Sequence, residues 1–417
     1  EVCRKLDISF VSTGEQVMKN ITNPVPTYKI EVSDLPKAES SSKTEPIIET
    51  SSEDSISAAD QDLDEKPPAI AVLPFSNMSG DAEQDYFVDG ITEDIITNLS
   101  LWRSFPVISR NSSFTFKGKS MKLKDVAKEL VARYIVEGSV RKGGKRVRIT
   151  AQLIDAEQDH HLWSEKWDKN LEDIFDIQDE VSASIAAQIN PTLENYERER
   201  IERIKPTNYN AWETYLKSLQ IFNNRNPSDH EDIELKKALS LCEKAIELDD
   251  SMSHAYSLLA KICEWELLQF TTEDSKKTLN EMLSYGKKAE ELDSKNPIAA
   301  YNIARHYFFS GKFEQAKFYS ERAIQLNPSY PDAQNILGQS LVHSGKFAES
   351  EKHFHKAIEL NPLDPNAILY KDGLYFAQMG LGNYEMAYLL IEECISQFSK
   401  AGFYKGFKAA VLGYLDK

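Results

Sequence analysis

The chain has 417 residues, a formal net charge of −17 and 41% hydrophobic residues, which is enough for about two to four domains. The negative charge argues against a protein that coats nucleic acid or binds membrane surfaces. No stretch approaches the roughly 20 consecutive apolar residues of a membrane-spanning helix. The four cysteines are scattered without a Cys-x-x-Cys spacing, so we expect free thiols and a cytoplasmic location.

The first 32 residues predict two short β-strands, at 8–11 and 25–32, with a turn at Thr13 and Gly14 between them. Two strands alone are marginally stable in water, and the residues that follow offer no helix or third strand to cover them. We therefore expect residues 1–32 to be the C-terminal end of a domain whose other elements precede Glu1.

Residues 33–67 form a polar, acidic segment. It contains ten acidic residues, three lysines and eight serines, and it has no aromatic residue. Such a segment buries too little apolar surface to offset its ordering entropy. The composition predicts a disordered acidic linker.

Residues 68–193 predict a compact unit in which strands and helices alternate. The nearly continuous apolar run at its start is typical of a strand buried on both faces. Gly143 and Gly144, between two apolar segments, indicate a β-hairpin. The order predicts an α/β sandwich of two or three layers with a mixed sheet. The expected strands lie at 69–75, 105–109, 134–140, 147–154 and 161–167, and the expected helices at 86–101, 122–132 and 171–189.

Residues 206–417 read as helical throughout, and the pattern repeats. Leu292, Leu326 and Leu360 are spaced by 34 residues, as are Gly311 and Gly345. An earlier copy lies 44 residues before Leu292, which predicts ten inserted residues at about 265–277. A 34-residue period with Asn-Pro between units predicts an all-α solenoid of tetratricopeptide (TPR) repeats.

Three segments of the unit at 68–193 also resemble the sequences of a known family. The segments AVLPFSNMSGDAEQDYFVDGITEDIITNLS, VISRNSSFTFKGKS and YIVEGSVRKGGKRVRITAQLIDA closely resemble the TolB amino-terminal-like domain found in bacterial signalling proteins. That resemblance implies an α/β fold and a place in regulation, without implying a reaction. We therefore expect a TolB-like domain at 68–193.

The start of the chain resembles the last two strands of class III adenylate/guanylate cyclase catalytic domains, through GEQVMKNITNPVPTYKI. Family members form dimers and make cyclic nucleotides with two metal ions, so the resemblance implies Mg²⁺ or Mn²⁺ in a cyclase domain upstream. The catalytic residues would precede Glu1, and none is assigned in this chain. In some relatives a lysine near the final strands touches the nucleotide phosphates, and Lys19 is the candidate here.

A run of basic residues interrupts this acidic chain. Between residues 103 and 148 there are thirteen Lys or Arg and three Asp or Glu. A solvated surface is one interpretation, and a site for an anion or an acidic partner is the other. No groove-reading motif supports nucleic-acid binding. The patch candidates are Arg103, Arg110, Lys117, Lys119, Lys122, Lys124, Arg141, Lys142, Lys145, Arg146 and Arg148.

The first helix of each predicted repeat would line a concave surface able to hold a protein or peptide. Aromatic residues at these positions either face that surface or fill the space between helices. The candidates for the concave surface are Tyr301, Arg305, Tyr307, Phe308, His343 and Tyr375.

We find no set of nucleophile, base and orienting residue, which argues against catalysis by this chain itself. The sequence predicts the regulatory and protein-interaction region of a class III adenylate cyclase whose parent makes cyclic AMP from ATP. Two alternatives stay open: a non-enzymatic TPR adaptor, and the sensory region of a TolB-like/TPR transcriptional regulator. Two aspartates in a cyclase context upstream of Glu1 would discriminate between them.

Overall fold

The computed structural model describes residues 8–16, 25–32, 68–102, 105–189, 208–225, 233–269, 271–364, 367–397 and 402–415. They belong to two compact units, Glu1–Leu63 and Asp64–Lys417. The second unit is mostly helical and has a small sheet near its start. In the part of the chain that is described, no helix is long and apolar enough to cross a membrane.

The first unit holds an antiparallel pair of strands, β1 (Ile8–Gln16) and β2 (Val25–Val32). The second strand has the predicted bounds. The turn predicted at Thr13 and Gly14 is wrong, because β1 continues through these residues with a register shift between Ser12 and Gly14. An extra residue of this kind bends a strand without ending it.

The second unit contains the predicted mixed sheet. Strand β3 runs parallel to β5, and β5, β6 and β7 follow as an antiparallel meander, with the short β4 also paired to β5. Gly143 pairs with Arg146 across the predicted hairpin, and Gly144 in the turn has a φ of 59°. The strands are β3 (Ile70–Val72), β4 (Ser76–Asn77), β5 (Tyr134–Gly143), β6 (Arg146–Asp155) and β7 (His160–Asn170).

Helices cover both faces of this sheet. Ile70 and Val72 belong to the core under α1 and α4, whereas Ala71 and Leu73 belong to the core under α3. Successive residues of β3 thus point to opposite faces, and both faces are buried, as the apolar run predicted. The result is a three-layer sandwich. The helices are α1 (Asp85–Ser100), α2 (Arg110–Phe114), α3 (Leu123–Leu130) and α4 (Ile174–Ile189).

The strand predicted at 105–109 is wrong. Only Val107 forms a bridge, to Ile70, although the neighbouring Pro106 carbonyl and Ile108 amide also bond to the Ile70 backbone. Pro106 has no N–H to extend a ladder. Ser109 then donates its backbone N–H to the carbonyl of Leu360 in the solenoid, and the chain enters α2.

The rest of the second unit is a helical solenoid. Helices pair in sequence, and each pair packs on the next. The helices are α5 (Tyr209–Asn224), α6 (Ile233–Leu248), α7 (Ser253–Gln269), α8 (Ser275–Leu292), α9 (Pro297–Phe309), α10 (Phe313–Leu326), α11 (Pro331–His343), α12 (Phe347–Leu360), α13 (Ile368–Leu381), α14 (Tyr384–Gln397) and α15 (Gly402–Tyr414).

The helix starts keep the predicted period. Helices α9 and α11 begin 34 residues apart, at Pro297 and Pro331, and α10 and α12 do so at Phe313 and Phe347. The inserted residues lie where the sequence predicted them. Helices α7 and α8 have 17 and 18 residues, against 13 and 14 in α9 and α10, and the link between them is longer by two.

One apolar core runs from the sheet into the first repeats. Trp212 of α5 lies edge-on to Phe87 of α1, with ring centroids 5.8 Å apart. Gly90 of α1 faces Leu216 so closely that a Cβ there would lie 2.6 Å from the leucine methyl groups. The absence of a side chain at Gly90 therefore lets α1 and α5 approach.

Phe354 of α12 holds the last repeats together. Its fully buried ring lies between two glycines, Gly338 of α11 and Gly373 of α13. A Cβ on Gly373 would lie 2.2 Å from the ring, and one on Gly338 would lie 2.8 Å from it. The ring cannot move out into water, so both glycines are required by packing.

We expect Gly373→Ala to lower the free energy of unfolding by about 1–3 kcal/mol, because the methyl group overpacks the core around Phe354. Urea unfolding measures the effect. Gly406→Ala is the matched control, since nothing lies within 4 Å of a Cβ at that helical position. The control should be neutral or stabilising by about 0.5–1 kcal/mol. Equal effects of the two substitutions would contradict the packing argument.

Asp372 of α13 gives the solenoid a pH dependence. Burial raises the pKa of this carboxyl from 3.8 to about 6, and among the described residues its Oδ1 has no hydrogen-bond partner. The folded state therefore holds the proton more tightly than the unfolded state. The cost of ionisation is absent below pH 3.8 and complete above about pH 6.

Asp372→Asn should therefore raise the free energy of unfolding at pH 8, by up to about 3 kcal/mol for a pKa shift of this size, and the gain should vanish towards pH 4. Urea unfolding at both pH values measures it. Glu129→Gln, at an exposed position on α3, should give the same small change at both. A gain from Asp372→Asn that is equal at pH 4 and pH 8 would refute the assignment.

Candidate functional site

A cavity of about 700 Å³ opens on the side of the sheet that carries α3. Helix α3 is short and covers only part of that face, so the middle of β5 and β6 stays open. The loop after β3 and the loop between α2 and α3 form the walls. The cavity thus lies at the carboxyl end of a buried parallel strand, a usual place for ligands in open α/β sheets.

The floor of this cavity is polar. Ser139 of β5 and Thr150 of β6 share a hydrogen bond of 2.7 Å between their hydroxyl oxygens. The neighbouring cross-strand pair joins Glu137 and Gln152, whose side-chain amide donates to the Glu137 carboxylate. Ser164 of β7 extends the same surface. A polar floor inside an otherwise apolar unit is what a ligand site requires and a plain core does not.

Gly138 lies between these pairs and faces the opposite side of the sheet. A Cβ at this position would lie 2.6 Å from the Phe75 ring and 2.3 Å from the Thr150 carbonyl oxygen. The glycine lets Phe75 cross β5 closely, so the loop after β3 bends into the cavity wall.

A partly buried ion pair fixes the opposite wall. Lys117 Nζ lies 2.7 and 2.6 Å from the two carboxylate oxygens of Asp89, which is only 5% exposed on α1. Asp85 Oδ2 lies 3.9 Å from the same amine, and Asn77 Nδ2 donates to Asp85 Oδ1 at 2.7 Å. These bonds tie the segment before α3 to the N-terminal half of α1.

Two charged side chains that line the cavity have no oppositely charged partner among the described residues. Glu137 on the floor contacts only the Gln152 amide. Lys119 at the rim lies over the Phe116 ring, with its amine 5.6 Å from the ring centroid, and has no acidic partner. The cavity therefore presents one free negative and one free positive charge.

The predicted basic patch is divided among internal pairs. Arg146 and Arg148 both bind Asp168, and their hydrogen bonds lower the pKa of that carboxyl to about 2. Arg110 pairs with Glu93 at 2.8 Å. Lys117 is held by Asp89, and Arg141 donates to the Met78 carbonyl, whereas Lys122, Lys124 and Lys145 are exposed. An anion site across the whole patch stays a prediction.

Lys142 belongs to the contact between the sheet and the solenoid. Its amine donates to the Tyr209 hydroxyl at 2.9 Å and to Glu213 Oε1 at 3.2 Å. Burial opposes the charge of Lys142, but these bonds outweigh it, so the pKa of Lys142 is raised. Tyr86 of α1 also donates to Glu213.

A second polar contact joins α2 to the solenoid. The side chain of Asn361 accepts hydrogen bonds from the hydroxyl groups of Ser109 and Ser112, the latter at 2.8 Å. Asn111 donates to Asp364 at 2.8 Å, and the Leu363 amide donates to the Ser112 hydroxyl at 3.0 Å. We call residues 109–112 and 361–364 together the joint.

The predicted concave residues mostly bridge helices. Tyr301 donates to Glu264 of α7 at 2.9 Å and is 5% exposed, and Arg305 pairs with Glu264 at 2.7 Å. Tyr375, 2% exposed, donates to the Phe407 carbonyl. The remaining three are more accessible but also contact other rings: Tyr307 stacks on Tyr319, His343 stacks on Phe313, and Phe308 lies edge-on to His343.

Several expected features lie outside the described residues: Lys19, Arg103, Cys3 and the linker at 33–67. The other three cysteines are free and buried, as predicted, and burial raises the pKa of each thiol to about 12. Such thiols are poor nucleophiles. Among the described residues, no group of three or more His, Cys, Asp or Glu could hold a metal ion.

Sequence reasoning missed both the cavity and the joint. Glu137 and Gln152 lie on the part of β5 and β6 that α3 leaves open, and the cue in the sequence was the Glu-Gly-Ser break in an apolar strand. From the sequence, Asn361 was interpreted only as part of the Asn-Pro pair that separates one repeat from the next. Its equivalent 34 residues earlier, Asn327, accepts from the Ser329 amide within its own loop.

Comparison with protein families supports the solenoid. Two tetratricopeptide repeat families match residues 298–330 and 331–364, which confirms the repeats predicted from the 34-residue period. The family described as HilA/YgeH-like transcriptional regulator, second domain, matches residues 66–184. That match covers the α/β sandwich.

A curated relative from Rhizobium meliloti (strain 1021), named "Putative adenylate cyclase 3", is 34% identical over 313 residues. The match covers 75% of this chain and 50% of the relative, so the chain spans half the length of the curated relative it matches.

Similar solved structures are distant. A thermophilic TPR protein of Thermus thermophilus is 16% identical, with 48% of this chain and 98% of that chain covered and a TM-score of 0.36. TolB from Acinetobacter baumannii is 18% identical, with 32% and 31% covered and a TM-score of 0.25. Scores this low say nothing further about the fold or its role.

The joint predicts an energetic coupling between Ser112 and Asn361. In a double-mutant cycle, Ser112→Ala and Asn361→Ala should be non-additive by about 1 kcal/mol or more, because each substitution removes the same buried hydrogen bond. Urea unfolding of the four proteins measures the coupling. The matched cycle with Asn327→Ala should be additive within about 0.5 kcal/mol. Additivity in both cycles would show that the Ser112–Asn361 hydrogen bond adds no stability.

Proposed function

We propose that this chain is the regulatory and protein-interaction region of a class III adenylate cyclase, whose parent makes cyclic AMP from ATP. The observation that carries the proposal is the 34% identity, over three quarters of the chain, to the protein named "Putative adenylate cyclase 3". The TPR repeats support a role in holding a protein or peptide. We assign the α/β sandwich as TolB-like, on the sequence resemblance.

The strand pair β1–β2 is consistent with the last two strands of a cyclase catalytic domain. In this proposal Lys19 approaches the nucleotide phosphates, and dimerisation proceeds through the catalytic domain, in the cytoplasm. Mg²⁺ or Mn²⁺ would be bound there to polarise the phosphates. Within the described ranges, no cluster of three or more His, Cys, Asp or Glu could hold such a metal.

The test compares three proteins: the complete product of the gene that encodes this chain, the same product ending at Val32, and residues 1–417 alone. Cyclic AMP formed from ATP with Mg²⁺ or Mn²⁺ is measured. We expect activity in the complete product, a changed rate after removal of 33–417, and none in 1–417 alone. Absence of activity from the complete product would refute the cyclase assignment, and an unchanged rate would refute regulation.

The HilA/YgeH-like match at 66–184 favours a second candidate, the sensory region of a transcriptional regulator. A TPR adaptor is compatible with the same repeats. Specific binding of the complete gene product to DNA from its own locus, without cyclase activity, would select the regulator over both the cyclase and the adaptor.

A further inference from the structure

We propose that the cavity beside α3 binds a small zwitterionic ligand, a short peptide with apolar side chains. The inference rests on the cavity itself and does not depend on the cyclase assignment.

The floor selects a cationic, hydrogen-bond-donating group. Among the described residues Glu137 has no cationic partner, and only one of its carboxylate oxygens accepts a hydrogen bond, from Gln152. Glu137 and Gln152 line the cavity from adjacent strands, and the second carboxylate oxygen and the Gln152 side-chain carbonyl are two further acceptors. A protonated amine carries three donors and a positive charge, so it matches this pair of acceptors.

The rim selects an anionic group at the other end of the ligand. Lys119 is exposed and lines the cavity directly after Gly118, whose φ is 73°. Lys117 is already neutralised by Asp89, whereas the Lys119 amine meets no carboxylate in the described part of the chain. A ligand carboxylate would supply the missing charge.

The walls between these charges are apolar. Leu73, Phe116, Met121 and Val126 line the space between floor and rim. The volume of about 700 Å³ lies within the range of roughly 300–1,000 Å³ typical of sites that bury small organic ligands. A short peptide with apolar side chains therefore offers all three kinds of group that this lining would bind: an amine, a carboxylate and apolar surface.

A nucleotide fits these walls less well. Three acidic residues, Asp85, Asp89 and Glu137, line the cavity against two lysines. Clustered phosphates would meet one free cation among the described lining residues and a floor that accepts hydrogen bonds. Phosphate sites are normally built from several donors or cations.

Calorimetric titration of the full 417-residue chain tests the proposal with leucyl-leucine, its N-acetyl derivative and its C-terminal amide. We expect saturable binding of leucyl-leucine and at least about tenfold weaker binding after acetylation, as for loss of a charged hydrogen bond. Glu137→Gln should abolish the difference between the free and acetylated peptides. Lys119→Met should abolish the preference for the free carboxylate over the amide.

Glu129→Gln and Lys124→Met are the matched controls, because both residues are exposed on the adjacent α3 and neither lines the cavity. Both should retain the wild-type preferences. Thermal unfolding checks that each variant folds. If Glu137→Gln does not fold, Lys119→Met still tests the proposal, because Lys119 is exposed. Absence of saturable leucyl-leucine binding, preferences unchanged in Glu137→Gln and Lys119→Met, or tighter binding of ATP would overturn the proposal.

Discussion

The burial of α1 between the sheet and the solenoid is the constraint on which the rest of the second unit depends. One side of this helix covers β3, and another packs on α5, where Gly90 admits Leu216. Neither surface could be exposed to water without losing a large apolar contact. The α/β sandwich and the first repeats therefore share one core, although the sequence pattern divides them cleanly.

Periodicity was the strongest guide to the fold. The 34-residue spacing located the helices α9 to α12 and the long pair before them, because each repeat presents the same packing problem to its neighbours. The strand predicted at 105–109 was wrong because the conformation of this segment depends on a contact that is distant in sequence. Its apolar residues resemble a strand, but Ser109 bonds to a residue 251 positions later, and no local pattern records such a partner.

The site was less predictable than the fold. The sequence shows a surplus of basic residues at 103–148, but it does not show which acids face them. Folding brings Asp89 to Lys117 and Asp168 to Arg146 and Arg148, so much of the apparent patch becomes internal pairing. Glu137 and Lys119 are the charged lining residues of the cavity that have no oppositely charged partner among the described residues. The sequence alone cannot identify them, because it does not show which charges pair in the fold.

The closeness of cavity and joint along the chain has one more consequence. Helix α2 is five residues long and begins within the joint. Phe116 and Lys119, which line the cavity, follow the end of this helix by two and five residues. If a bound molecule changes the affinity of this segment for the solenoid, then contact with the solenoid must change the affinity of the cavity for that molecule by the same factor, because such coupling is reciprocal.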